Sequence, residues 1–284
     1  MIIPVEILDA ARDGDISTVV RFLDEGGDVN AVDARGLTLL RSVAYSQVDV
    51  CRVLVARGAD PNKFGQNMLS PLCQAILFAD GGLSNPRQGG GAAWSASPSG
   101  ELFQILVESG ADLNARESIR WGGDYSHEGH GSLLARILIE FGERLDDGHS
   151  LSPDIVTALL RAGARVDSIF EDQGETYSAS WCLNLALAYR PELAQDEHYI
   201  KTRDLIVGIQ EDGSFKRFMR RPHREILRLR SLFSRGRATP PCAIRCRRLR
   251  CYGAARQDYA MEFLVKQPDN GIVWNILSFW RASE

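Results

Sequence analysis

Two histidines and a glutamate lie together in one glycine-rich stretch, His127-Glu128-Gly129-His130, with Asp124 shortly before it. Imidazole and carboxylate groups bind zinc, and a His-Glu-x-x-His helix would place two imidazoles on one face. Here the histidines are only three residues apart, and the surrounding glycines favour a loop. The stretch therefore predicts neither a metalloenzyme nor a bound metal.

Three cysteines near the C-terminus form a second candidate metal site. Cys242, Cys246 and Cys251 have the spacing C-x3-C-x4-C, and His223 could supply a fourth ligand. Structural zinc sites use two close pairs of ligands, whereas only one such pair is present here. Both a zinc site and three ordinary thiols in a basic loop remain open, and the spacing favours the thiols.

Two further stretches could serve nucleophilic or phosphate chemistry. Gly148-His149-Ser150 lacks the strand and the second glycine of a nucleophile elbow. Residues 89–91 are three glycines, but no Gly-Lys-Ser/Thr follows them and no strand precedes them. We therefore predict no catalytic residue, no cofactor and no enzymatic activity.

The composition is typical of a soluble protein that can bury a core, with 44% hydrophobic and 25% charged residues in a chain of 284. No apolar run approaches the roughly 20 residues that a membrane span needs. Residues 1–4 lead into a helical pattern without the features of a signal peptide. We expect a cytoplasmic or nuclear protein with reduced cysteines, of which Cys51, Cys73 and Cys182 should lie in the core.

The chain contains a repeated segment, and its copies align without gaps. They are Gly26-Gly27-Asp28-Val29-Asn30, Gly58-Ala59-Asp60-Pro61-Asn62, Gly110-Ala111-Asp112-Leu113-Asn114 and Gly163-Ala164-Arg165-Val166-Asp167. The third residues of successive copies are 32, 52 and 53 positions apart. These spacings indicate a repeat of about 33 residues with two insertions of about 20.

Each copy follows an amphipathic helical pattern with three apolar columns. The columns are Val19, Cys51, Phe103 and Val156; Phe22, Leu54, Leu106 and Leu159; and Leu23, Val55, Val107 and Leu160. Spacings of three and four place all three columns on one helical face. The glycine after each pattern suits a helix C-cap. A shorter helix precedes each one, at residues 5–12 in the first unit, where Asp13-Gly14-Asp15 predicts a tight connection.

Two helix starts carry a resemblance to a known repeat. Asp33-Ala34-Arg35-Gly36-Leu37-Thr38-Leu39-Leu40 and Ser70-Pro71-Leu72-Cys73-Gln74-Ala75 resemble the opening turn and Thr-Pro-Leu-His-x-Ala helix start of ankyrin repeats. Arg41 and Cys73 replace the histidine that is usual in that family. The resemblance covers residues 4–170, with a weaker fifth pair from Thr176 to Ile209.

The resemblance implies an all-α fold, an ankyrin-repeat solenoid of about four to five helix-turn-helix units with a C-terminal helical extension. The solenoid would span residues 1–215, with insertions near 80–100, 117–130 and 140–153. The extension would span residues 216–284. Neighbouring units of such an array stack to bury a continuous core.

The resemblance also implies a scaffold that binds a protein partner through its turn tips and concave surface. The third tip is enlarged after Arg116, and exposed Arg, Trp and Tyr side chains often anchor interfaces. The candidate partner-binding residues are Arg35, Phe64, Arg120, Trp121 and Tyr125. Alternatively, Trp121 packs on its own helices and only orders the loop.

The C-terminal part is basic, with fourteen Lys or Arg residues and one acid between residues 216 and 256. An import signal, a binding site for an acidic partner and a solvated face remain open. Only Tyr252 lies near the arginines, which disfavours RNA stacking, so we expect a protein partner rather than nucleic acid. Residues 267–280 resemble in part the opening of an F-box, so the alternative function is a ubiquitin-ligase-type adaptor that recruits substrates. We expect a monomer.

Overall fold

The computed structural model describes residues 2–64, 69–79, 94–121, 127–143 and 153–221, together with Arg224 and Arg228. The chain divides into two compact units, Met1–Glu211 and Asp212–Glu284. The basic segment 229–256, the cysteines Cys242, Cys246 and Cys251, and the F-box-like tail lie outside the described residues, so what the sequence predicts for them stays a prediction.

The first unit is mostly helical, and its helices follow one another in pairs. The described helices are α1 (Val5–Asp13), α2 (Ile16–Asp24), α3 (Leu39–Val43), α4 (Val48–Ala56), α5 (Pro71–Phe78), α6 (Pro98–Glu108), α7 (Leu133–Glu143), α8 (Pro153–Ala162), α9 (Ala179–Tyr189) and α10 (Glu197–Asp212). Short 3-10 helices at Trp94–Ala96 and Pro191–Gln195 precede α6 and α10. The predicted helix pairs are therefore present, and the fifth begins at Ala179 rather than at Thr176.

Helix ends follow the capping chemistry of the sequence. Gly14 has a φ of 81° and closes α1, and the Asp15 carboxylate accepts a hydrogen bond of 3.1 Å from the backbone N–H of Thr18 to begin α2. The glycines that open the four aligned segments have φ between 84° and 114°. A left-handed φ of this kind favours glycine, which explains the repeated Gly after each second helix.

The apolar columns form the core between neighbouring pairs. Val19, Cys51 and Val156 of the first column are fully buried. Of the second column, Leu54, Leu106 and Leu159 are fully buried; Phe22, in the first repeat, is half-exposed. The third column is half-buried except for Leu160. The columns thus pack as the spacing predicted, with the third at the edge of the core.

The thiols predicted to be core residues are buried. Cys51, Cys73 and Cys182 have no exposed surface. Burial raises the pKa of the Cys51 thiol and that of the Cys182 thiol to about 12 in each case. All three therefore stay protonated at neutral pH and act as small apolar side chains.

A four-stranded antiparallel sheet accompanies the helices, so the prediction of an all-α fold was incomplete. Hairpin β1 (Glu117–Trp121) and β2 (His127–Gly131) lies between α6 and α7, and hairpin β3 (Phe170–Asp172) and β4 (Glu175–Tyr177) lies between α8 and α9. The strands adopt the order β1-β2-β3-β4. The sheet forms because two hairpins that follow successive helix pairs pair with each other. No local pattern in the sequence predicts this pairing.

The second hairpin is closed by a two-residue turn. Asp172 pairs with Glu175, and Gln173 and Gly174 between them have φ of 51° and 85°. Two successive left-handed residues define a type I′ turn, whose twist matches that of the flanking strands.

In the second unit, the described residues include α11 (Phe215–Met219) and a carboxylate that binds two arginines. Asp212 accepts hydrogen bonds from Arg221 at 3.0 Å and from Arg224 at 2.7 Å. Its bond to Arg224 is the main cause that lowers the pKa of Asp212.

Candidate protein-binding surface

An asparagine ladder links the successive repeated segments. Asn30 donates to the carbonyl of Gly58 at 3.1 Å and accepts from the backbone N–H of Asp60 at 2.7 Å. Asn62 makes the same two bonds to Gly110 and Asp112, at 2.9 and 2.8 Å. A side-chain amide suits this role because it is both a donor and an acceptor. Each asparagine thus holds the turn of its own repeat against the turn of the next repeat.

The ladder ends at the fourth segment. Asn114 still bonds to Gly163 and to the N–H of Arg165. The corresponding residue of the fourth segment is Asp167, whose carboxylate accepts from Gln210 at 3.4 Å. An ionised carboxylate has no donor, so it cannot repeat the two-way bond of an asparagine.

The turn tips are joined to one another by a second set of bonds. The Thr38 hydroxyl donates to the carbonyl of Lys63 at 3.2 Å, and the N–H of Ser70 donates to Glu117 at 3.2 Å. The N–H of Ser132 donates to the carbonyl of Ile169 at 2.8 Å. These bonds hold each tip beside the next. Residues from several repeats therefore lie along one edge of the Met1–Glu211 unit.

The outer face of the first hairpin is polar and exposed. Arg120 pairs across the strands with Glu128, and their charged groups are 3.4 Å apart. The Ser118 hydroxyl also donates to Glu128 at 2.6 Å, and this bond and the Arg120 charge lower the pKa of Glu128. Arg120 keeps 65% of its side chain exposed, so its guanidinium remains accessible.

The two histidines of this hairpin lie on opposite faces of β2. Successive residues of a strand alternate between its faces, so positions 127 and 130 point apart. Their imidazoles therefore cannot share one metal ion on this strand. The described residues contain no cluster of three metal-ligating side chains.

The predicted partner-binding residues occupy different tips. Arg35 is exposed in the turn before α3, where its N–H donates to Asp33, and Phe64 is half-buried in the turn after α4. Arg120 and Trp121 end β1, with Trp121 opposite His127. Tyr125 lies outside the described residues. The bond from Thr38 to Lys63 joins the first two of these tips, and the role of all five residues in binding stays a prediction.

A buried charged cluster supports the enlarged tip. Arg136, 8% exposed, donates to Glu140 at 2.7 Å and also to the carbonyl of Ser118. Glu117 is 7% exposed, and one of its carboxylate oxygens has no hydrogen-bond partner. Burial and the neighbouring Glu117 raise the pKa of the Cys73 thiol far above its usual value. The cluster therefore ties α7 to β1 at a cost in desolvation.

Sequence reasoning missed an aromatic stack beside the second hairpin. Phe170 stacks on Trp181 with ring centroids 5.6 Å apart, and Tyr177 stacks on Trp181 at 4.1 Å. A Cβ on Gly129 would lie 2.5 Å from the Phe170 ring and one on Gly131 would lie 2.9 Å from it. Glycine at these two positions therefore makes room for the Phe170 ring against β2. The available signal was a Gln-Gly turn between Phe170 and Tyr177.

No helix among the described residues is both long and apolar enough to cross a bilayer.

Comparison with known proteins identifies ankyrin-repeat relatives. A segment of 73 residues is 37% identical to the ankyrin repeat-containing protein P1E11.10 of Schizosaccharomyces pombe, covering 25% of this chain and 35% of that protein. A segment of 176 residues is 28% identical to the putative ankyrin repeat protein YahD of Escherichia coli, covering 57% of this chain and 81% of that protein. No family model matches the chain.

A shorter similarity, 46% over 57 residues, relates the chain to a mitochondrial disaggregase of Bos taurus, covering 20% of this chain and 8% of that protein. The chain thus spans 8% of the bovine and 35% of the fission-yeast relative. The two ankyrin-repeat relatives, at modest identity, support an ankyrin-repeat family for this chain and a role in protein–protein interaction.

Proposed function

We propose that the first unit is an ankyrin-repeat solenoid that works as a non-catalytic scaffold and binds a protein partner through its turn tips. The observation that carries the proposal is the first hairpin, whose strand β1 has Glu117 and Ile119 buried while the Arg120 side chain is 65% exposed. A positioned hairpin loses little conformational entropy on binding, so its exposed side chains can contribute most of their contact energy.

Contacts with neighbouring elements hold strand β1 in place. Arg136 bonds to the carbonyl of Ser118 within β1, and Glu117 accepts from the N–H of Ser70 in the preceding unit. Ile119, the next residue of β1, is fully buried. Glu117, Ser118 and Ile119 of β1 are thus held by contacts with the protein interior, whereas the Arg120 side chain faces solvent.

The proposed contact residues are Arg35, Phe64, Arg120, Trp121 and Tyr125. Arginine and the large aromatic residues are the types that most often supply binding energy in protein interfaces. The chain would bind as a monomer and present these side chains from neighbouring tips.

Affinity capture with the full chain tests the proposal. The bait variant is the triple substitution Arg120→Ala, Trp121→Ala and Tyr125→Ala. The matched control substitutes Arg21, Arg52 and Gln104, which are exposed on the second helices of the first three pairs, by alanine. Circular dichroism melting establishes that both variants fold.

We expect quantitative mass spectrometry to find one or more proteins captured equally by wild type and control and depleted at least about tenfold by the tip variant. Equal capture by the tip variant would remove the first hairpin as the binding site. A full chain that captures nothing above an unrelated bait would contradict the scaffold function itself.

A further inference from the structure

Tyr177 of the second hairpin and Trp181 of α9 form a partly exposed aromatic pair beside two carboxylates. Tyr177 stacks on Trp181 at 4.1 Å, and both residues are partly exposed. The register pairs Phe170 with Tyr177 and Asp172 with Glu175. Because side chains two residues apart share a strand face, Asp172 and Glu175 lie on the same face as Tyr177. This face combines aromatic surface with negative charge, and we name its residues Asp172, Glu175, Tyr177 and Trp181 the acidic aromatic face.

The charge of this region is one-sided. Residues 166–189 contain four acids and no Lys or Arg. Glu171 is paired with Arg116, but within the described ranges no ion pair reaches Asp172 or Glu175. The face therefore attracts cations, and by the same charge it repels nucleic acid and anionic lipid.

Local contacts hold the aromatic pair in place. The Tyr177 hydroxyl donates to Glu175 at 2.9 Å, and Phe170 packs on Trp181 from the buried side of the stack. Aromatic rings fixed next to carboxylates offer a cation two attractions at once, one from the charges and one from the ring faces.

We propose that the acidic aromatic face docks an extended basic segment of a protein partner, with Lys or Arg side chains lying against Tyr177 and Trp181. This inference rests on the proposed scaffold function and specifies the chemistry of the partner. It involves a different hairpin from the one that carries the proposed function.

Fluorescence anisotropy with the full chain provides the test. The probe is a labelled ten-residue peptide with four arginines among glycines and serines, and its control has four citrullines, the neutral isostere of arginine. The test variant is Asp172→Asn with Glu175→Gln. Its matched control, Glu192→Gln with Glu197→Gln, removes the same charge from exposed positions of the same unit. Tyr177→Leu, with its fold checked by thermal melting, tests the aromatic contribution.

We expect the arginine peptide to bind about fivefold more weakly to the Asp172/Glu175 variant and less than about twofold more weakly to the control. Tyr177→Leu should weaken binding by about threefold. The citrulline peptide should bind poorly to every form.

Equal loss in the two charge variants would overturn the inference, since it would indicate a general attraction of polycations. Equal binding of the citrulline peptide would also overturn it. Light scattering that shows a dimer blocked by the arginine peptide would assign the face to a second copy of the chain instead. If capture still depends on Arg120, Trp121 and Tyr125 while these peptide results are negative, only this inference fails and the scaffold function stands.

Discussion

The first two junctions between repeated segments and the third junction are held together by different sets of contacts. Asn30, Asn62 and Asn114 each make a two-way bond to the next segment. At the junction that Asn114 spans, strand pairing of His130 with Glu171 and of Gly131 with Phe170 joins the two hairpins in addition. One amide is enough to align two short turns, whereas the junction between the long hairpins combines an amide with backbone pairing.

The short turns and the hairpins also differ in the side chains that they expose. The asparagine-linked turns are short, and their polar groups form hydrogen bonds to one another. The hairpins carry Arg120 and most of the acidic aromatic face, whereas Arg35 and Phe64 are the proposed contact residues on the shorter turns. The proposed contacts are thus concentrated where the repeat is extended by a hairpin.

The largest effect is expected from Arg136→Leu, which would weaken the hairpin region. The substitution leaves Glu117 and Glu140 buried without their cation, and it removes the bond to the Ser118 carbonyl. Breaking a buried ion pair from one side costs about 3–5 kcal/mol of the free energy of unfolding. Urea denaturation followed by circular dichroism measures it.

Arg52→Leu is the matched control, because Arg52 pairs with Glu101 and about half of each side chain is exposed. An exposed pair contributes about 0–1 kcal/mol. A similar loss in the two variants would contradict the role given to the buried cluster.

A smaller effect is expected from Asn62→Ala, which would weaken the asparagine-linked region. It removes the bonds to Gly110 and Asp112, and the expected loss of unfolding free energy is about 1–2 kcal/mol because the site is exposed. Thermal and urea denaturation measure the loss.

Asp167→Asn sharpens the comparison, because no further repeated segment follows Asp167. The substitution should change the free energy of unfolding by less than about 0.5 kcal/mol. A gain as large as the Asn62 loss would show that the ladder can continue there.

The smallest effect concerns the pH dependence of the first hairpin. Because its folded pKa is lowered, Glu128 stabilises the hairpin at pH above its ordinary value of 4.5, and this contribution is lost as the pH falls through the folded value. The Ser118 bond is the largest single cause, and Arg120 acts through both its charge and a hydrogen bond, so Ser118→Ala and Arg120→Ala should each raise the pKa of Glu128. An NMR titration of the Glu128 carboxyl carbon in the two variants measures both changes. An unchanged pKa in either variant would contradict the cause assigned to that side chain.

The helices could be predicted because their evidence is local and repeated. Val19, Cys51 and Val156 recur at one position of an amphipathic pattern, and the same glycine ends each helix. Capping residues such as Ser70, which accepts from the N–H of Cys73 at 3.1 Å, mark the helix starts equally well. Periodicity, capping residues and repeat spacing all predict the same helices, so few alternative assignments were possible in this part of the fold.

The sheet could not be predicted because its pairing is distant in sequence and its strands are short. β3 and β4 have three residues each, and most of their side chains are charged or polar, so no apolar alternation marks them. The contact of His130 with Glu171 joins positions that belong to different repeats. Trp181 lies in α9, and its stacking on Tyr177 of β4 is a contact between two elements that no local pattern in the sequence predicts.

The asparagine ladder also governs how this chain can accommodate new segments. Its N–H to Oδ1 bonds measure 2.7, 2.8 and 2.9 Å, although the residues they join are 30, 50 and 51 positions apart. The junction between units is therefore indifferent to how much chain lies between the two turns. The chain already holds about 20 additional residues in two of these intervals, one of them between α5 and α6 and the other around the first hairpin. A foreign peptide inserted at either place should therefore leave the junction between the repeats unchanged.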